Sequence, residues 1–549
     1  MNTDISRRTM IQLSAAVAAT AAGSAAAETA LAPVRTTHGQ LRGQMVDDIA
    51  TYLGIPYGAP TGGANRFLPP QAAARWRGIR EATAYGHQSP QVLRVKGIYP
   101  YPEWIDPETA SEDCLNLNVW APVAGQSAPR PVMVWFHGGG YERGSGNIPM
   151  YDGHNLARKG DVVVVNVNHR LNIFGFTHVA KGADARFASS GNASLLDLVA
   201  ALRWVQANIA AFGGDPANVT IFGESGGGGK VSAILAMPAA KGLFRKAIVM
   251  SGSSLEVLPA ETADASAAQV FAYFKLRPGD VAGLQKVPTG DLYACYEKLT
   301  SGAIPGVGAR VSFGPVIDGK AILQQTWTPD APSVSRDVPM LIGCATDETA
   351  AFIATVVEEP IPDDAALIAK ISRYGGRRAS DPARVSTLLA AYRRAMPELS
   401  RTELLVRVTT DLGMWRNAIT QAARKNAAGG APAYLYEFAY KTPAYGSTWA
   451  LHSLILPFVF GNHNYEKSWD MRDSRSVREA IDPNRDYLRL SDQIIAIWSQ
   501  FARSGNPAIP ALGDWPPYAA GTRHTMLLNR ESRLTNGLRE AVRADVLAF

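Results

Sequence analysis

The sequence predicts an α/β fold in which a mostly parallel central sheet carries helices on both faces. Three observations point to it. Residues 131–136 (Pro-Val-Met-Val-Trp-Phe) and 161–167 (Asp-Val-Val-Val-Val-Asn-Val) are near-continuous apolar runs, the pattern of strands buried on both faces. Stretches with helical spacing alternate with such runs, as the βα repeat of a parallel sheet requires. The run Asn218-Val219-Thr220-Ile221-Phe222 passes directly into Gly223-Glu224-Ser225-Gly226-Gly227 and then into small residues able to open a helix. That is a sharp strand–turn–helix transition.

The elements follow in chain order. Ser6-Arg7-Arg8-Thr9-Met10, a weakly apolar Ala-rich stretch over 11–22 and Ala25-Ala26-Ala27 before Glu28 read as a twin-arginine export signal. Residues 1–27 are therefore expected to be removed, leaving 28–549 as one large domain. Loss of Arg7, Arg8 and Asp4 would take the formal charge from +6 to +5. No other run approaches the 18 or so apolar residues of a membrane span, and with no Cys beside the cleavage site a lipid anchor is not expected. From about residue 34 short strands are expected to alternate with helices. Residues 89–110, rich in Pro and aromatics, read as a surface loop. A helix is expected over 193–212, ended by Gly213-Gly214. Buried strands follow at 218–222, 246–250, 338–343 and 433–438. Residues 350–440 are richer in charge and Ala, and read as helices inserted over the carboxyl-terminal edge of the sheet. An amphipathic helix over 486–504 closes the pattern.

Composition narrows the function classes. The chain has 549 residues, 46 % hydrophobic and 19 % charged, with 11 Trp; this is a globular composition, not a disordered one. Its formal charge of +6 is spread without a Lys/Arg run, and no nucleic-acid motif accompanies it. Cys114, Cys295 and Cys344 make an odd count, and no disulfide is expected.

Ser225 has the setting of a nucleophile, which requires an oxyanion site, a base and an orienting acid. His137-Gly138-Gly139-Gly140 follows a buried strand; its glycines let backbone N–H groups crowd one oxygen. This pattern is much rarer by chance than the serine motif alone. The N–H of Gly226, directly after the serine, would add a donor. In such folds the acid and then the histidine follow the serine. Three histidines come late enough. His452 precedes the apolar run Leu454-Ile455-Leu456-Pro457-Phe458, His463 lies in a polar turn expected to be solvated, and His524 has a charged context. Asp347 and Glu348 follow the strand Met340-Leu341-Ile342-Gly343, and either carboxylate could orient an imidazole.

These residues resemble the type-B carboxylesterase family, which includes bacterial para-nitrobenzyl esterases and, more remotely, cholinesterases. The resemblance is carried by Ser111-Glu112-Asp113-Cys114-Leu115-Asn116-Leu117-Asn118-Val119-Trp120, by His137-Gly138-Gly139-Gly140-Tyr141, by Phe212-Gly213-Gly214-Asp215-Pro216 leading through to Ser225, by Ile342-Gly343 with Asp347-Glu348, and by His452 with Leu456-Pro457-Phe458-Val459-Phe460-Gly461. It implies an α/β-hydrolase fold. It also implies Ser225 as nucleophile, Glu348 as acid with Asp347 the runner-up, His452 as base, and Gly139, Gly140 and Gly226 as oxyanion donors. Three departures stand out. Gly226 occupies a position usually held by Ala, which suggests a looser elbow. Ser89 stands where a Cys partner for Cys114 is often found, so the 89–114 loop should be less constrained. Ile455 replaces an acidic residue that often lies three after the histidine. Trp104, by the same resemblance, and Glu224, from its place beside the nucleophile, are candidate pocket residues, Glu224 more as a buried supporting carboxylate than as the acid.

The resemblance implies a serine hydrolase of small-molecule carboxylic esters with no cofactor and no metal; the leader pattern adds export, and charge and apolar runs add the expectation of no nucleic-acid partner and no integral membrane segment in the mature chain. An amidase or acyltransferase using the same triad is the alternative. A catalytically silent adhesion protein of the same fold would lack the nucleophile, whereas Ser225, Glu348 and His452 are all present. Oligomeric state is not legible. Activity is expected to rise with pH through His452's ordinary value of about 6.5.

Overall fold

The computed structural model describes residues 29–91, 109–123, 128–301, 311–353, 360–441, 449–463 and 482–549. The expected export signal and Trp104 lie outside the described residues. Fifteen strands occur among those described: β1 Thr29–Ala30, β2 Val34–Arg35, β3 Gln40–Arg42, β4 Gln44–Val46, β5 Ile49–Pro56, β6 Ile79–Glu81, β7 Asn116–Pro122, β8 Arg130–Phe136, β9 Val163–Val167, β10 Gly214–Glu224, β11 Lys246–Met250, β12 Met340–Ala345, β13 Ala433–Phe438, β14 His524–Leu528 and β15 Arg533–Asn536. Twelve form one sheet in the order β1-β4-β5-β7-β9-β8-β10-β11-β12-β13-β14-β15, while β2, β3 and β6 make a small second sheet.

The seven strands from β9 to β14 in that order are all parallel to one another. The inner ones, β8, β9, β11, β12 and the second half of β10, are mostly apolar, because both faces are covered. The outer part differs from the expected alternation of strands and helices from residue 34. β1, β4, β5, β7 and β9 pair antiparallel. Local turn chemistry explains this: Val46 pairs with Ile49, so Asp47-Asp48 is a two-residue hairpin loop, with Asp47 in the left-handed region at φ 48°.

The helices used below are α1 Ala193–Asn208, α2 Gly226–Ile234, α3 Arg401–Thr410, α4 Arg416–Ala427 and α5 Asp486–Ser504. The expected helix over 193–212 is α1 plus a tighter turn, Ile209–Phe212, ended by Gly213 in the left-handed conformation at φ 79°. Within Ala185–Phe212 the chain is long and apolar enough to cross a membrane, yet it is largely packed inside the fold. The apolar side of α1 is core, with Leu195, Leu198, Leu202 and Val205 fully buried. α3 and α4 belong to the inserted helical region, and α3 lies over the carboxyl end of β12. There Thr349 N donates to Thr410 Oγ1 at 3.2 Å and Thr349 Oγ1 to the Val406 carbonyl at 3.0 Å.

The loop expected over 89–110 is anchored at both described ends. Ser111 N donates to the Gln88 carbonyl at 2.8 Å, and Ser89 and Gln91 are buried rather than exposed. Ser89 Oγ accepts from Leu171 N at 3.1 Å. All three cysteines are free thiols in the interior.

β8 marks the point where strand order reverses, since the chain continues to β9 on one side and to β10 on the other. Ligand sites of open α/β sheets lie outside the carboxyl ends of the strands at such a point.

Candidate active site

The carboxyl ends of β8 and β10 lie side by side, with Phe136 paired to Gly223. Each strand therefore releases its loop at the same rim. Leaving β10, Ser225 has φ 55° and ψ −125°, a conformation a non-glycine residue adopts only when its surroundings enforce it. The restraint is visible. Ser225 N donates to the Met250 carbonyl at the end of β11 at 2.9 Å, and the Ser225 carbonyl accepts from Gly229 N at 3.0 Å as α2 begins. A Cβ on Gly227 would lie 1.9 Å from the Phe136 carbonyl oxygen, so only glycine lets α2 start this close to β8.

The Gly-rich loop leaves β8 directly beside this turn. Gly139 and Gly140 have φ of 87° and 65°, and the Gly139 carbonyl accepts from Glu142 N and Arg143 N. Among the described residues, the N–H groups of Gly139, Gly140 and Gly226 donate to no backbone or side-chain acceptor. Ser225, Gly226, Gly139 and Gly140 are each half-buried, while their neighbours Glu224, Gly227 and Gly138 are buried. A Cβ on Gly226 would lie 2.1 Å from the Gly140 carbonyl oxygen. Gly226 is thus the surface against which the loop closes, a steric role that the expected looseness of the elbow does not describe.

Two further segments converge from later in the chain. β12 ends at Ala345, and Glu348 follows, fully buried, one oxygen accepting from Ala345 N at 2.6 Å. Its other oxygen is hydrogen-bonded to His452 Nδ1. Asp347 faces elsewhere. It accepts from Ala450 N at 2.9 Å, donates its own N–H to the Ala450 carbonyl at 3.1 Å and pairs with Arg407 at 3.3 Å. Of the two carboxylates left open by the sequence, Glu348 meets the imidazole, and Asp347 ties the His452 segment to the end of β12.

His452 packs against Phe352, with ring centroids 4.8 Å apart. Its Nε2 is buried with no hydrogen-bond partner, 3.3 Å from Glu224 Oε1. Glu224 is 1 % exposed and accepts from Ser453 Oγ at 2.8 Å. It is enclosed beside the imidazole and offers no open face to a pocket. Burial works against a charged imidazole, but the carboxylates of Glu224 and Glu348 outweigh it and push His452 up to about 9. This corrects the expected value near 6.5. Burial, with the Glu348 charge, in turn pushes Glu224 up to about 7 despite the opposing pull of His452.

The other histidines lie apart from this constellation. His463 was expected in a solvated turn but is buried between Phe458 and Tyr487, with ring centroids at 5.3 and 5.4 Å. Its turn is drawn inward because Asn462 donates to the Met150 and Asp152 carbonyls. His524 opens β14, two strands beyond β12, with Nδ1 3.4 Å from Thr522 Oγ1. Sequence reasoning missed Ser453, Arg407 and Lys230. Of these only Lys230 carries a signal, a lone cation in the apolar run that follows the elbow.

A family model described as the carboxylesterase family matches residues 31–544. The chain belongs to the carboxylesterase family. It is 35 % identical to the para-nitrobenzyl esterase of Bacillus subtilis (strain 168) over 505 residues, which cover 92 % of this chain and 96 % of that protein. It is 30 % identical to the fumonisin B1 esterase of Sphingopyxis macrogoltabida over 478 residues, 86 % of this chain and 82 % of the relative. Among solved structures, a para-nitrobenzyl esterase superposes with a TM-score of 0.75 at 33 % identity, covering 94 % of this chain and 99 % of its own. A Geobacillus stearothermophilus carboxylesterase superposes with a TM-score of 0.76 at 33 % identity, covering 93 % and 99 %. The fold is accordingly the α/β-hydrolase fold, and this carboxylesterase is a carboxylic ester hydrolase.

Proposed function

We propose that this carboxylesterase cleaves small-molecule esters through an acyl-enzyme on Ser225, with His452 as base, Glu348 as its orienting acid, and the N–H groups of Gly139, Gly140 and Gly226 as the oxyanion site. The observation that carries the reading is the Glu348–His452 hydrogen bond at Nδ1, which leaves Nε2 as the ring nitrogen without a hydrogen-bond partner. Nε2 takes the Ser225 proton as Oγ attacks the ester carbonyl. The tetrahedral intermediate collapses as the same proton passes to the leaving alcohol oxygen. Water then adds to the acyl carbon, giving a proton to His452, and that proton passes to Ser225 Oγ as it is expelled, which releases the carboxylic acid and restores the enzyme. Three unspent N–H donors at one rim support the oxyanion assignment.

Glu224 acts beside this triad by holding positive charge on His452, so His452 must lose a proton before it can act as base. The twin-arginine pattern at Arg7-Arg8 supports export to the periplasm or beyond; the paired substitution of both by Lys is expected to leave the precursor in the cytoplasm on fractionation. Ser225→Ala tests the mechanism. Turnover of a simple aryl ester is expected to fall by about 10⁴–10⁶ in kcat, and near-normal turnover would overturn the assignment.

A further inference from the structure

Lys230 lies five residues after Ser225 on α2 and is 0 % exposed. A lysine this deep ordinarily meets a carboxylate, yet no ion pair to Lys230 occurs among the described residues. Its Nζ donates to one acceptor, the His137 carbonyl oxygen, at 2.9 Å. That carbonyl opens the loop carrying Gly138, Gly139 and Gly140. The titratable groups facing Lys230 are His137 and His169, whose rings stack 4.6 Å apart at 13°. Burial first, then the nearby Lys230 charge, holds both histidines well below the ordinary imidazole value, so they are neutral. The neighbouring Arg170 is paired with Asp197 at 2.6 Å. Lys230 is therefore an amine with no counter-charge beneath the Gly-rich loop, and burial lowers its pKa to about 7, so at the pH where His452 is neutral it is an uncharged donor.

A buried amine with no anion beside it favours its neutral form, which still donates an N–H. Its acceptor is the carbonyl that opens the loop carrying, on the reading above, two of the oxyanion donors. Donors held in place stabilise the intermediate more than the bound ester, which is what raises kcat. We propose that Lys230 is a positioning residue for ester hydrolysis: it grips the His137 carbonyl and thereby holds the Gly139 and Gly140 donors in place. This inference rests on the oxyanion assignment to Gly139, Gly140 and Gly226.

The test compares Lys230→Met, which removes the donor, with Lys230→Gln and Lys230→Arg, which each keep one. Each is assayed on an aryl ester and for inhibition by a trifluoromethyl ketone, which adds to the serine and leaves an oxyanion in the same place. The full chain carrying Lys230→Met is expected to lose about 10–100-fold in kcat and to bind the ketone more weakly by a similar factor, with KM within about threefold. Lys230→Gln or Lys230→Arg is expected to recover part of the ketone affinity. The proposal is overturned if a folded Lys230→Met keeps kcat and ketone affinity within twofold, or if Ki and KM rise together, the mark of general distortion. Should Lys230→Met not fold, Lys230→Leu is read by the same criteria. Ser225→Ala, assayed in parallel, separates the two levels: if it still turns over ester, the underlying assignment fails whatever Lys230 does.

Discussion

At Gly226, one methyl group has a computable consequence. An alanine Cβ there would meet the Gly140 carbonyl carbon at 2.4 Å and its oxygen at 2.1 Å, contacts that force the loop to move. Gly226→Ala is therefore expected to fold, because Ala suits the start of α2, but to lose at least about tenfold in kcat as the Gly139 and Gly140 donors shift. Unchanged steady-state kinetics would show that the loop does not depend on this contact. Glu224 makes a second case. Its carboxylate, together with Glu348, holds His452 at about 9, and only the neutral imidazole can accept the serine proton. The acid limb of kcat/KM is thus expected above the ordinary histidine value of about 6.5. Glu224→Gln removes one of the two negative neighbours and should move that limb to lower pH by about one unit or more. A limb that stays in place contradicts the role given to Glu224. Neither effect was legible in the sequence. Ser453 bonds Glu224 across 229 positions and Lys230 bonds His137 across 93, and no local pattern encodes such meetings.

Among the elements, the parallel strands were the most readable. The expected strand at 246–250 coincides with β11, and those at 131–136, 338–343 and 433–438 match β8, β12 and β13 to within two residues. Their burial on both faces writes itself as an unbroken apolar run. α5 was equally plain, because its buried residues Leu490, Ile494, Ile497, Trp498 and Phe501 keep helical spacing. The antiparallel strands β1–β5, β7 and β15, and the edge-side parallel strand β14, left little trace. Their identity depends on pairing partners and not on composition. α3 and α4 are joined by a π-helical turn, Asp411–Trp415, that no propensity would have located. That turn places Asp411 in a buried network with Tyr392, Arg539 and Glu437 of β13, Arg539 lying 2.9 Å from Asp411 and bonding both Glu437 oxygens. Arg539→Met leaves two buried carboxylates without their cation and is expected to cost about 3–5 kcal/mol. The change would appear as a lower denaturation midpoint, and an unshifted midpoint would mean the network is not cooperative.

The molecule as a whole joins four segments far apart in sequence at one rim of one sheet. The Gly-rich loop and Ser225 leave adjacent strands beside the reversal of strand order, Glu348 leaves β12 two strands along, and His452 is fastened to that end by Asp347 and Glu348. Ser225, His452 and the acidic pair could be named from motifs because their chemistry demands those residue types in that order. The residues alone left Asp347 and Glu348 open and the resemblance implied Glu348; that Glu224 lies 3.3 Å from the other imidazole nitrogen required the fold. The central claim is that this arrangement makes Ser225 the nucleophile. The most direct measurement is inactivation by an aryl organophosphonate, with the adduct located by peptide mass mapping. One phosphonyl group is expected on Ser225, formed in proportion to lost esterase activity and absent in Ser225→Ala. Full inactivation with the adduct on another residue, or undiminished labelling of Ser225→Ala, would contradict the account.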